Sequence, residues 1–325
     1  MEESVILAGD VGATKTVLGL FSASNGHPSL LSQQTFRSSA HSGLSDIVRE
    51  FLPQSSRVKV ACFGVAGPVI DGVGEVTNLS WTVKARTLAS DLHIERVSLI
   101  NDLVATGYGV ANLSDKDLLV LNEGHAADVA NAAVIAAGTG LGECILYRDG
   151  RGYVPLPTEA GHADFAPYDE ITLELTGYLR RKTGAACVEQ VVSGPGLVNI
   201  YRFLCEKEDV GESSDILNAE DPAAAIAHTA LENRCELCNR ALDIFVAAYG
   251  AESGNLALRS LAVGGIYLAG GIAPKIYDRL QSGGFMKAFV HKEKQSELLA
   301  RVPVHVILNE HLPLLGAVRY LTQHS

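Results

Sequence analysis

Positive charge is in short supply in this chain of 325 residues: 26 Lys and Arg stand against 37 Asp and Glu, a net charge of −11. That balance argues against nucleic acid or an anionic membrane surface as the main partner. Long apolar runs are missing too, so no segment is suited to spanning a bilayer. Met1-Glu2-Glu3-Ser4 lacks the basic segment and apolar stretch of a secretion signal, and the expected compartment is the cytoplasm. Cysteine occurs six times but without a paired framework. Only Cys235 and Cys238 form a Cys-x-x-Cys, inside a helical pattern and with no second Cys or His pair, so buried thiols are expected there rather than zinc. No low-complexity linker interrupts the chain, and any domain boundary is expected to be a hinge.

Glycine, by contrast, is abundant at 32 residues, and hydrophobic residues make up 47% of the chain. This composition fits a tightly turned α/β enzyme of one large domain or two. Two glycine-rich stretches stand out, Gly9-Asp10-Val11-Gly12-Ala13-Thr14-Lys15-Thr16 and Ala137-Gly138-Thr139-Gly140-Leu141-Gly142. Each is a Gly/Thr turn between two strand-like apolar runs. Glycine lets backbone N–H groups crowd an anion, and threonine adds a hydroxyl donor. Two such turns, far apart in sequence, suit a protein that clamps a nucleotide between two lobes. The plain alternative is a pair of ordinary hairpin turns. Neither stretch is a P-loop or a dinucleotide fingerprint: Thr14 stands where a Walker loop needs glycine, and neither Val17–Phe21 nor Glu143–Tyr147 reads as the helix those motifs require.

The first hundred residues alternate strand and helix patterns, with strands expected at Val5–Ala8, Val17–Phe21, Val58–Phe63 and Val97–Ile100 and a helix near Leu44–Leu52. Later helices are expected from Asp169 to about Lys182, stopped by Gly184, and from Ser193, Asp221 and Cys235, the last running to Tyr249. A strand follows at Val263–Leu268, and a helix over Leu314–Leu321 closes the pattern.

Several motifs in order then add up to a family pattern: Gly9–Thr14, Val65–Val69, Thr77–Trp81, Ile100–Leu103, Ala137–Gly142, Thr158–Pro167, Val192–Asn199 and Leu268–Ile272. Over nearly its whole length the chain resembles the bacterial-type glucokinases of the hexokinase branch of the actin-like ATPase superfamily. The resemblance implies an α/β, two-lobed, ribonuclease H-like fold. It has a small α/β lobe of 1–104 plus about 310–325, a larger α+β lobe of about 105–309, and a cleft between them. It also implies ATP and Mg²⁺ as cofactors, glucose phosphorylated at its 6-hydroxyl, and a homodimer. Alanine at 13, where the family usually has glycine, requires a negative φ unless the turn is strained. The cysteine-rich zinc motif and the N-terminal DNA-binding helices of the related repressor group are absent from these residues.

Residue roles follow from the same resemblance. Asp102 is carried over as the catalytic base that accepts the hydroxyl proton; from sequence alone an Asx helix cap is the rival. Asn78, Asn101, Asp102, Glu159, His162 and Glu189 are the expected sugar ligands. A metal role for Glu159 and His162 lacks a third ligand nearby, and a surface position is the rival for Glu189. Gly9, Asp10, Val11, Gly12, Ala13 and Thr14, with Gly138, Thr139 and Gly140, are expected at the phosphates, and Gly270 and Gly271 at the adenosine. For Gly270 and Gly271 a simple strand-to-helix turn is the rival. Asp10 is expected to hold magnesium through water. Trp81 reads better as a packing anchor than as a stacking surface. Another hexose, such as mannose or N-acetylglucosamine, or a silent sugar sensor remain alternatives.

Overall fold

The computed structural model describes residues 5–22, 28–52, 58–76, 79–127 and 129–324. Asn78 lies outside them. The chain divides into two compact units, one of Met1–Ser114, Arg151–Pro157 and Asn309–Ser325, the other of Asp115–Gly150 and Thr158–Leu308.

The first unit is built on a five-stranded sheet in the order Ser29–Arg37, Lys15–Ser22, Val5–Val11, Val58–Val65, Arg96–Asn101. Apolar runs make these strands, and their inward residues Leu7, Leu18, Phe63 and Val65 join the core with Ile47 and Val48 of the Leu44–Phe51 helix. That helix buries Leu44, Ile47, Val48 and Phe51, the spacing of one helical face. Val5–Val11 forms an antiparallel hairpin with Lys15–Ser22 and runs parallel to Val58–Val65, which runs parallel to Arg96–Asn101. The register pairs Val11 with Val65 and Val65 with Asn101, so the carboxyl ends of three parallel strands share one sheet edge. Ligand chemistry in open α/β sheets collects at such an edge.

The unit continues past residue 104 because the Asp102–Gly109 helix packs against the Leu312–Gln323 helix and beside Tyr153–Pro157. Two glycines make the helix contact close. A Cβ on Gly316 would collide with the Ala105 carbonyl, and one on Gly109 would sit 2.6 Å from the side chain and carbonyl of Leu312.

The second unit repeats the hairpin arrangement. Ala132–Ala137 pairs antiparallel with Leu141–Arg148 and parallel with Ile266–Ala269, followed by parallel Val304–Ile307 and antiparallel Leu118–Asn122. The Glu170–Thr183 helix starts at a capping box between Asp169 and Thr172 and stops at Gly184, φ 84°. Ser193 and Asp221 cap the next two helices, each with a proline in its first turn. The Glu236–Ser260 helix runs well past the expected Tyr249. Gly250 and Gly254 sustain it by letting the backbones of Phe285 and Phe289 lie directly against it. The strand expected from Val263 starts only at Ile266, because Gly265 turns the chain at φ 136°. All six cysteines are free thiols, and Cys235 Sγ accepts the Cys238 N–H as a helix cap. No helix of the described residues is long and apolar enough to cross a membrane.

Candidate active site

In the first unit the shared sheet edge gathers the expected residues. The Ala66 N–H donates to the Val11 carbonyl at 2.9 Å, and Asn101 Nδ2 donates to the Gly67 carbonyl at 3.1 Å. These bonds tie the Gly12–Thr14 turn, the Gly67 loop and the start of the Asp102 helix into one row. Gly64 allows the close fit, since its missing Cβ would stand 3.0 Å from Ala105 Cβ on the Asp102–Gly109 helix.

The helix cap weighed for Asp102 belongs instead to Asn101. Its Oδ1 accepts from Leu103 N at 2.9 Å and Val104 N at 3.2 Å, which is N-cap geometry. Asp102 is the first helical residue, half-buried, and its Oδ1 also accepts from Leu103 N at 2.9 Å. A carboxylate there is favoured by the positive end of the helix dipole. Asn101 thus has its amide oxygen and one amide hydrogen engaged by backbone groups.

Gly9, Val11 and Gly12 differ in what they can offer. Gly9 is inside the strand, where a Cβ would stand 2.5 Å from Phe63, so packing alone demands glycine; Val11 is fully buried. The Gly12 N–H is committed to the Lys15 carbonyl at 3.0 Å, closing the hairpin. Ala13 beside it is half-buried and Thr14 exposed. Ala13 is not among the residues with positive φ, so alanine fits without strain. Ser38, which no sequence signal singled out, holds this turn from behind through its N–H and hydroxyl.

Asp10 is the last residue but one of the Val5–Val11 strand, beside this turn. Burial pushes its carboxyl up to about 6, with the Lys15 charge opposing. No cluster of three metal-ligating side chains occurs among the described residues. A single hard carboxylate suits a magnesium ion that keeps most of its waters and shares phosphate oxygens. It would not suffice for zinc.

The second unit brings its own expected residues together. The Gly138 N–H donates to the Gly140 carbonyl at 2.9 Å, and the Gly138 carbonyl accepts from Gly194 N at 2.8 Å. Thr139 is exposed at the tip. Glu189 is no free surface residue: its Oε2 accepts the Leu141 N–H at 2.8 Å and fills the space beside Gly140, where a Cβ would approach it to 2.5 Å. Glu159 and His162 flank a short 3-10 turn, both exposed, with Gly161 between them packed on the Leu141 carbonyl. The Val188 N–H donates to Ala163, and Phe165 N–H donates to Ala186, so the Glu159/His162 loop and the Glu189 loop lie side by side. Gly270, at φ 82°, is required because a Cβ would collide with the Ala137 carbonyl at the root of the same turn. Gly271 is exposed with open space at its α-carbon. A backbone need for Gly270 therefore stands beside any ligand role.

Known proteins resemble this chain over nearly its whole length. A family model described as Glucokinase matches residues 7–324. A glucokinase of Nostoc sp. strain PCC 7120 is 41% identical, the alignment covering 97% of this chain and 98% of that protein. The crystal structure of a glucokinase from an Antarctic psychrotroph superposes with a TM-score of 0.84 at 29% identity, covering 98% of this chain and 99% of the other. A Balamuthia mandrillaris glucokinase solved with glucose shares the fold at a TM-score of 0.81 and 24% identity, over 99% of this chain and 94% of the other.

Proposed function

The chain belongs to the glucokinase family and is an ATP-dependent glucose kinase of two-lobed, actin-like α/β fold, and from that premise we propose which residues carry the reaction. Asp102 is the general base. Its carboxylate accepts the proton of the glucose 6-hydroxyl as that oxygen bonds to the γ-phosphorus and ADP departs. The observation that carries this assignment lies at the helix start: Asn101 caps both Leu103 N and Val104 N, so the cap does not depend on the Asp102 carboxylate, which shares the Leu103 N–H with it. Asn101, Glu159, His162 and Glu189 orient the sugar hydroxyls, and Ala13, Thr14 and Thr139 donate to the phosphates. Gly270 and Gly271 leave bare backbone for the adenosine. Asp10 would hold magnesium, which when bound offsets phosphate charge. The same reading makes the protein a cytoplasmic homodimer with no nucleic-acid or membrane partner, in keeping with its net charge of −11.

Asp102→Asn tests the reading. The change is nearly isosteric and leaves the Asn101 cap in place, so thermal stability holds and glucose still binds, more weakly by one charged hydrogen bond, while kcat falls by about 10²–10⁴. A kcat within a few-fold of wild type, in a coupled assay with glucose, ATP and Mg²⁺, would remove Asp102 from the chemistry.

A further inference from the structure

Ser38 stands just beyond the Ser29–Arg37 strand and is fully buried, as is Thr16 beside it. The Ser38 hydroxyl donates to the Gly12 carbonyl at 2.7 Å, and its backbone N–H donates to the Thr14 carbonyl at 3.1 Å. The Ser38 and Thr16 hydroxyl oxygens are 2.9 Å apart. Because the single Ser38 hydroxyl hydrogen is spent on Gly12, the Thr16 hydroxyl must be the donor of that pair. The result is a directed chain from Thr16 through Ser38 to the turn, in which each bond polarises the next.

A trans peptide group points its C=O and its N–H in opposite directions. Drawing the Gly12 carbonyl toward Ser38 therefore turns the Ala13 N–H away from it, and drawing in the Thr14 carbonyl does the same to the Lys15 N–H. We propose that Ser38, backed by Thr16, is a positioning residue for the nucleotide: it fixes the peptide planes of the first glycine turn so that their N–H groups present to phosphate. The inference rests on the assignment of Gly12–Thr14 to the phosphates.

The test uses the full chain and three variants, Ser38→Ala, Thr16→Val and Thr16→Ser. Ser38→Ala removes the donor to Gly12 and should raise KM for ATP about three- to tenfold, the worth of one neutral hydrogen bond. Thr16→Val keeps shape and should raise it about twofold, while Thr16→Ser, which keeps the hydroxyl, stays at the wild-type value. Glucose binding without nucleotide, followed by the fluorescence of the single Trp81, should stay constant throughout. A merely structural serine would lower thermal stability and leave KM for ATP alone. That result, or a parallel loss of glucose affinity, would overturn the proposal. Should Ser38→Ala fail to fold, the Thr16 pair decides, because equal KM values for Thr16→Val and Thr16→Ser would sink the idea. A wild-type chain that does not phosphorylate glucose would instead refute the functional reading itself.

Discussion

The two glycine turns have similar sequences and occupy matching positions in their hairpins, yet they are held from behind by different chemistry. The first is braced by neutral groups, the hydroxyl and N–H of Ser38 on the carbonyls of Gly12 and Thr14. The second is braced by the N–H of Gly194 at a helix start and by the Glu189 carboxylate on the Leu141 N–H. A bond to an ionised group is roughly twice as strong as a neutral one. In the proposed function Glu189 also binds sugar, so a change at the second turn should reach both substrates, whereas one at the first should reach only the nucleotide. Each turn has an acid nearby as well, Asp10 half-buried and Glu143 buried. Asp10 faces a cation, Lys15, while Glu143 faces another carboxylate, Glu252, with Arg259 opposing.

Gly140→Ala should break the contrast most violently. Its Cβ would press on Glu189 Oε2 and displace it from Leu141. Loss of a charged hydrogen bond costs about 1.5–3 kcal/mol, so kcat/KM should fall roughly ten- to a hundredfold, with glucose and ATP affinity both reduced. Loss of ATP affinity alone would mean that Glu189 serves only the turn. Thr14→Val and Thr139→Val delete exposed hydroxyls and should each lower ATP binding or turnover about tenfold with glucose binding intact. If only one of them matters, the symmetry of the two tips is false.

Glu143 gives a pH test. Burial, then the charge of Glu252, pushes the Glu143 carboxyl from its ordinary 4.5 up to about 8. The folded chain therefore holds a proton that the unfolded chain has released, between about pH 4.5 and pH 8. Stability from this group is full at the acid end and falls as pH rises through that window. Glu143→Gln, neutral at every pH, should flatten the Tm-against-pH profile and raise Tm at the alkaline end; parallel profiles for variant and wild type would exclude the effect. The smallest change expected is from Ala13→Gly. Since Ala13 already has an unstrained φ, glycine adds only unfolded-state freedom, about 0.4–1 kcal/mol of lost stability, with KM for ATP unmoved. A lower KM would show that alanine distorts the phosphate turn.

Local chemistry was readable in the sequence. Asp169, Ser193 and Asp221 cap helices where their spacing put them, and Gly184 ends one, because a cap depends on neighbours within a turn. The hairpins were legible for the same reason, as alternation of apolar runs and glycine. What escaped depends on partners distant in the chain. Ser38 meets Thr16 across 22 residues and Gly12 across 26, and nothing in Arg37-Ser38-Ser39-Ala40 marks it. Glu189 reaches Leu141 across 48 residues, so the sequence left its surface rival open. The cap at Asn101 rather than Asp102 turned on a single residue's backbone angles, a distinction that composition does not carry. The length of the Glu236–Ser260 helix depended on phenylalanine backbones that pattern alone could not place.

The glycine-to-backbone contact between the Asp102–Gly109 and Leu312–Gln323 helices has a consequence in time. A ribosome delivers the second of these helices after every strand of both units, so the whole of Asp115–Leu308 leaves the tunnel first. Until then the helix bearing Asp102 has an uncovered face, and the Gly109 notch is empty. The unit that starts the chain is thus the last to close. A nascent chain stopped short of Leu312 carries Asp10, Asp102 and both turns, yet lacks the helix against which Asp102's own helix is seated. A chain stopped before the Leu312–Gln323 helix should therefore be silent in the glucose phosphorylation assay.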